Sequence, residues 1–146
     1  MPRSQLPPKR EFLIDRSLGT RIVPEGLRKA GYVVHTLRSV YGERRAQRVT
    51  DTEWIERAGR EAWIVLTADD AIRRNELERA AVEEHSVQLF CVTSAKLTGP
   101  EQRDRLLKHI HRILQRSQKP GPFIYGVHEK SVELLWKPED RSITGQ

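Results

Sequence analysis

The unbroken apolar run Ala62-Trp63-Ile64-Val65-Leu66 passes through Thr67 and Ala68 and stops in two adjacent carboxylates, Asp69 and Asp70. A run without polar alternation predicts a strand covered on both faces, as in a parallel sheet with helices packed above and below. Asp69 and Asp70 then fall just past its carboxyl end, on the rim where open α/β sheets gather their ligands. An Asp there also has a structural use, because it caps the free N–H groups of a following helix and meets the positive end of its dipole.

The rest of the chain repeats the theme. Glu11-Phe12-Leu13-Ile14-Asp15 is a shorter run that also ends in an acid. Ile22, Val23, Leu27 and Ala30 recur at helical spacing, with Pro24 in the first turn and Gly31 placed as a C-terminal cap, which predicts a helix over 20–30. Residues 32–37 read as a second strand, and 38–49 as an exposed basic loop carrying Arg38, Arg44, Arg45 and Arg48 around Gly42. Thr50 and Glu53 are spaced as a capping box, so a helix is expected over 51–59 with Gly59 as its stop.

After the 62–67 strand, residues 71–84 form a charged amphipathic pattern whose apolar stripe is Ile72, Leu77, Ala80 and Ala81. Residues 87–92 read as a further buried strand. Gly99-Pro100-Glu101 opens a helix to about Arg116 with Leu106, Ile110, Ile113 and Leu114 inward, and Lys119-Pro120-Gly121-Pro122 breaks it. Two runs, 123–127 and 131–136, then read as a hairpin across His128-Glu129-Lys130. Strands alternating with helices imply right-handed crossovers, hence a three-layer α/β/α fold with a central, mainly parallel sheet and a C-terminal β-hairpin. The 146 residues suit one domain, expected over 11–137, with a flexible basic tail at 1–10 and a disordered one at 138–146.

Composition narrows the function. A formal charge of +6 calls for a polyanionic partner, either nucleic acid or an acidic protein. No apolar run approaches the roughly 20 residues that cross a bilayer, and Met1–Arg10 has no leader-like stretch, so a soluble, cytoplasmic protein with no membrane partner is expected. The single Cys91 sits in an apolar run and reads as a small buried hydrophobe. The five histidines lack ligand spacing, and His109 and His111 point to different faces of a helix. Trp54, Trp63 and Trp136 read as core anchors. Gly19, Gly42 and Gly59 form no phosphate-cradling loop.

In a parallel sheet Asp15 and Asp69 share the carboxyl rim, and Asp51 at the start of a preceding helix reaches the same region. Carboxylates crowded together repel by a few kcal/mol each at an effective dielectric of roughly 20, and such a cluster calls for a cation. All-oxygen ligation suits Mg2+ or Mn2+, the usual companions of phosphate substrates. Arg16, Arg73, Arg74 and the Arg44-Arg45-Arg48 segment would hold a polyanion across the acids. Hydrolysis of RNA is the concrete expectation.

Phe12-Leu13-Ile14-Asp15-Arg16-Ser17-Leu18-Gly19, the helix start Thr50-Asp51-Thr52-Glu53-Trp54-Ile55 and Trp63-Ile64-Val65-Leu66-Thr67-Ala68-Asp69-Asp70-Ala71-Ile72-Arg73-Arg74 together resemble the PIN-like domains, relatives of the VapC toxins and of the Mut7-C type nucleases. The resemblance covers about residues 11–116, and Leu-Thr-x-Asp is its most specific part. It implies a metal-dependent ribonuclease, the toxin half of a toxin–antitoxin pair neutralised by a cognate antitoxin. Carried over by position, the catalytic and metal-binding acids are Asp15, Asp51 and Asp69. Glu53 is a rival for the second place, and Asp70 is either a helper ligand or a helix cap.

The chain departs from the pattern where many members place another acid, since Ser86-Val87-Gln88-Leu89-Phe90 has none. That departure keeps open a non-catalytic RNA- or protein-binding module built on the same fold. A phosphoacceptor receiver is a weaker third reading, because receivers carry an acidic pair after the first strand and this chain has Asp15-Arg16. The RNA target and the oligomeric state, a homodimer included, stay open at this point.

Overall fold

The computed structural model describes residues 10–94 and 96–139. Its strands are β1 (Glu11–Ile14), β2 (Val33–Thr36), β3 (Ile64–Thr67), β4 (Gln88–Val92), β5 (Phe123–Val127) and β6 (Val132–Trp136), forming one sheet in the order β2-β1-β3-β4-β5-β6. Every pair is parallel except the last, β5 with β6. This is the three-layer arrangement with a terminal hairpin that the sequence predicts.

The continuous apolar runs are explained by two cores, one on each face. Phe12, Ile14, Ile64, Leu66, Phe90 and Val92 point to one face, where they meet α1 (Ile22–Lys29) and α7 (Gly99–Arg116). The alternate residues Leu13, Val65, Leu89 and Cys91 point to the other, where α2 (Leu37–Tyr41), α3 (Glu43–Ala46), α4 (Asp51–Glu61), α5 (Ala71–Arg74) and α6 (Glu76–Glu84) cover them. Side-chain alternation at period two therefore feeds both cores from the same strand. Trp54 is fully buried in the second core, and Cys91 is buried there with its thiol pushed up to about 12, first by burial and then by the negative charge of Asp70, Asp15 and Asp69.

Because α1 leaves β1 for one face and the α5–α6 connection leaves β3 for the other, a crevice opens between the carboxyl ends of these neighbouring strands. Such switch points are where doubly wound sheets bind ligands. Asp15 follows β1 directly, and Asp69 lies two residues past β3.

Three local expectations need correction. Residues 38–49 are not an open loop: Thr36 and Ser39 form a reciprocal capping box that starts α2, and α3 follows Gly42, whose φ of 86° suits a residue without Cβ. Gly59 does not stop α4, which runs to Glu61 and closes on Ala62 in the left-handed region. Gly59 is there because α6 packs on it so closely that a Cβ would lie 2.4 Å from the His85 carbonyl oxygen. Finally, the 71–84 helix is two helices, broken at Asn75, whose side chain accepts from the N–H groups of Leu77 and Glu78. The break changes the phase, so Leu77 is 76% exposed while Ala81 and Val82 turn inward.

Of the expected tails, residues 1–9 and 140–146 lie outside the described residues. Arg10 is held at the amino end of the sheet, donating to Ser117 O at 2.9 Å and to Gln88 Oε1 at 2.6 Å.

Candidate active site

Asp15 is the most enclosed acid of the crevice, only 6% exposed. The Ser17 N–H and hydroxyl both donate to its Oδ1, and the Thr67 hydroxyl donates to its Oδ2 at 2.8 Å. Burial nevertheless pushes its carboxyl up to about 6, against the pull of those hydrogen bonds, and the charge of Asp69 adds to the rise. Ser17 and Thr67 do more than solvate it. Ser17 Oγ accepts from Ala68 N–H at 2.8 Å, and Thr67 Oγ1 accepts from Asp69 N–H at 3.0 Å. The Thr of Thr-x-Asp thus ties the end of β1 to the turn carrying Asp69, which fixes the separation of the two acids.

Asp69 Oδ1 accepts from Ala71 N–H at 2.9 Å. Asp51 enters from the first turn of α4, where the indole N–H of the buried Trp54 donates to its Oδ1 at 2.9 Å. Glu78 enters from α6, a residue that the sequence reading passed over. Its carboxyl is pushed up to about 7, first by burial, then by a hydrogen bond with Asp51 and by the charges of Asp51, Asp69 and Asp15. Its Oε2 is a buried oxygen with no hydrogen-bond partner. Glu78 thus holds a raised carboxyl against Asp51, a contact that a proton on Glu78 or a bound cation relieves.

Other singled-out residues have structural partners. Glu53 caps α4 through Thr50 and pairs with Arg45 at 3.6 Å, so its carboxylate belongs to the helix start. Asp70 pairs with Arg73 at 3.0 Å and Arg74 at 2.9 Å, which occupies all three. Arg45 also lies 5.6 Å over the Tyr41 ring, and Arg44 is exposed on α3. Arg16 stands beside Asp15 with Nη2 donating to the carbonyls of Ala46 and Val49, which ties the α3–α4 turn to the crevice. His35 stacks on Trp63 at 4.1 Å and bonds Glu11, a structural role.

The signal for Glu78 was present in the sequence. Glu78, Ala81, Val82 and His85 are spaced i, i+3, i+4 and i+7, the inward face once Asn75 is taken as a new cap. As they stand, no three His, Cys, Asp or Glu side chains among the described residues form a complete ligand set for one ion. The chemistry of the group still suits a hard divalent cation, since the donors are all oxygen and one of them, Glu78 Oε2, is buried without a partner.

A family model described as a PIN-like domain matches residues 10–94, more than half of the chain. The chain belongs to the PIN-like domain family. A protein of Mycobacterium tuberculosis (strain ATCC 25618 / H37Rv) named "Putative ribonuclease VapC45" is 39% identical over 121 residues, covering 83% of this chain and 88% of its own length. No solved structure gives a significant match. The matched part of the PIN-like domain holds Asp15, Asp51, Asp69 and Glu78, while α7 and the hairpin lie beyond it. No helix among the described residues is long and apolar enough to cross a membrane.

Proposed function

We propose that this PIN-like domain is a Mg2+- or Mn2+-dependent ribonuclease, serving as the toxin of a type II toxin–antitoxin pair in the cytoplasm, with RNA as substrate and a cognate antitoxin protein as partner. The observation that carries the reading is the tie by which the Thr67 hydroxyl holds Asp15 and the backbone of Asp69 together at the switch point, with Asp51 and Glu78 entering from α4 and α6. Likeness to a protein named as a ribonuclease supports it.

Asp15, Asp51 and Asp69 would hold the ion, with Glu78 as a fourth acid and Asp70 kept on its arginines. When bound, the ion supplies positive charge beside the phosphodiester and lowers the pKa of a water. The chain's own work is arrangement. Ser17 and Thr67 keep the Asp15 carboxylate in one orientation, Trp54 does so for Asp51, and the start of α5 does so for Asp69. Arg16 and the exposed Arg44 would meet the RNA backbone, and Arg45, Arg73 and Arg74, already paired with Glu53 and Asp70, would contribute by exchanging those carboxylates for phosphate. Arg16 is the best organised of them, since its two carbonyl bonds fix the guanidinium beside Asp15.

The test is cleavage of RNA with added Mn2+ or Mg2+, by the wild type and by Asp15→Asn and Asp69→Asn. Loss in both variants with unchanged circular dichroism supports the reading; undiminished cleavage by both overturns it. Titration calorimetry with Mn2+ separates the runner-up. A wild type that binds RNA yet gives no Mn2+ heat is the non-catalytic module that the missing acid at 86–90 suggests.

A further inference from the structure

Beside Asp15, on the side facing away from β3, a cavity of about 190 Å3 opens between the carboxyl ends of β1 and β2. Ile14, Leu37 and Ala46 form its apolar floor, and Asp15 is one wall. The exposed ion pair of Arg38 and Glu43 closes the far end at 3.5 Å, and Thr20 and Gln47 stand at the mouth. It is smaller than the pockets that take drug-sized ligands, and it has room for one planar ring.

We propose that this cavity receives a single unstacked base of the RNA strand, the nucleotide next to the phosphodiester at the acids. The proposal rests on the ribonuclease reading and adds to it the seat of base preference. Three features favour a base over other occupants. Asp15 belongs both to the acid group and to the cavity wall, so a ring seated here adjoins the proposed point of cleavage. An apolar floor under a polar mouth matches a base, whose faces are apolar and whose edges carry donors and acceptors. The Gln47 carboxamide offers one donor and one acceptor side by side, and it makes no hydrogen bond among the described residues, so it is available for a bidentate contact with a base edge. Arg16, fixed through Nη2 alone, still has Nε and Nη1 to meet the phosphate attached to that nucleotide.

The experiment measures binding without cutting. Asp69→Asn protein is titrated, by fluorescence anisotropy, against short homopolymers of each of the four RNA bases. The same series follows with Gln47→Ala and with Thr20→Phe, which fills the cavity from an exposed turn position. The expected result is a preference of about tenfold or more for one base, reduced to within about twofold by either variant while circular dichroism is unchanged. A preference that both variants retain, or RNA binding with no preference at all, overturns the cavity assignment and leaves the ribonuclease reading standing. No RNA binding by any form, the wild type included, overturns both. Gln47→Ala removes only an exposed side chain, so the test stands even if Thr20→Phe misfolds.

Discussion

Thr67 donates its hydroxyl to Asp15 across the gap between β3 and β1, and the same oxygen accepts from the N–H of Asp69. One side chain therefore positions two acids contributed by different strands. Thr67→Val keeps the volume but leaves a carboxylate oxygen and a backbone N–H without a protein partner. The loss should be about 1.5–3 kcal/mol at neutral pH, where Asp15 is charged, and less in acid. Urea unfolding at both pH values measures it, and an unchanged midpoint at neutral pH would show that water replaces the bond without cost.

The pH dependence of stability follows from Asp15. Its folded pKa of about 6 lies above the ordinary 3.8, so the folded state binds the proton more tightly than the unfolded chain does. The stability from the protonated form is fully present below about pH 3.8 and is lost as pH rises through 6. The shift corresponds to about 3 kcal/mol. Protein without added metal is therefore expected to be more stable at about pH 4.5 than at about pH 7.5. Asp15→Asn should flatten that slope, and equal slopes in the two proteins would reject the assignment to this residue.

Glu78 predicts two effects of opposite sign. Replacing it by Gln removes a negative charge facing Asp51, so without metal at alkaline pH the variant should melt at a higher temperature than the wild type. The same change removes a candidate ligand, and Mn2+ affinity by calorimetry should fall on the order of tenfold. A variant that melts higher with unaltered Mn2+ binding would take Glu78 out of the metal group.

At Gly59 two magnitudes compete. Ala favours a helix over Gly by about 1 kcal/mol, but a Cβ here would stand 2.4 Å from the His85 carbonyl oxygen and 2.7 Å from its Cβ. Backbone does not yield as a flexible side chain would, so Gly59→Ala should be a net loss of about 1–3 kcal/mol. By forcing α4 away from α6 it should also separate Asp51 from Glu78 and weaken Mn2+ binding. Thermal unfolding and calorimetry on one sample check both.

The fold was legible because its strongest signals are non-local in effect but local in origin. The runs at Phe12–Ile14, Trp63–Leu66 and Val87–Val92 have no polar face, so each has to be covered on both sides, and the capping box at Thr50 and the Gly99-Pro100-Glu101 start mark where two of the covering helices begin. Phase was harder to read. Asn75 looks like an ordinary polar residue inside a charged helix, yet as a cap it restarts the period, turning Leu77 out and Glu78 in. Residues 37–46 hid their helices for a similar reason, since a five-residue and a four-residue helix leave no room for periodicity, the first resting on the Thr36 and Ser39 cap and the second on the turn at Gly42. The site was half visible. Asp15, Asp51 and Asp69 announce themselves by position, whereas the roles of Ser17, Thr67 and Arg16 depend on partners up to 52 residues away, which no local pattern records.

The four acids of the crevice are spread over β1, α4, the end of β3 and α6, so no contiguous piece of the chain carries them as a group. Cutting between α4 and β3 would divide them, two to each half, and a chain still emerging from the ribosome would assemble them only after residue 78 was free and the sheet had closed. Whatever the molecule does with these carboxylates waits on the folding of the whole sheet, and a nascent chain that ends before Glu78 cannot yet do it.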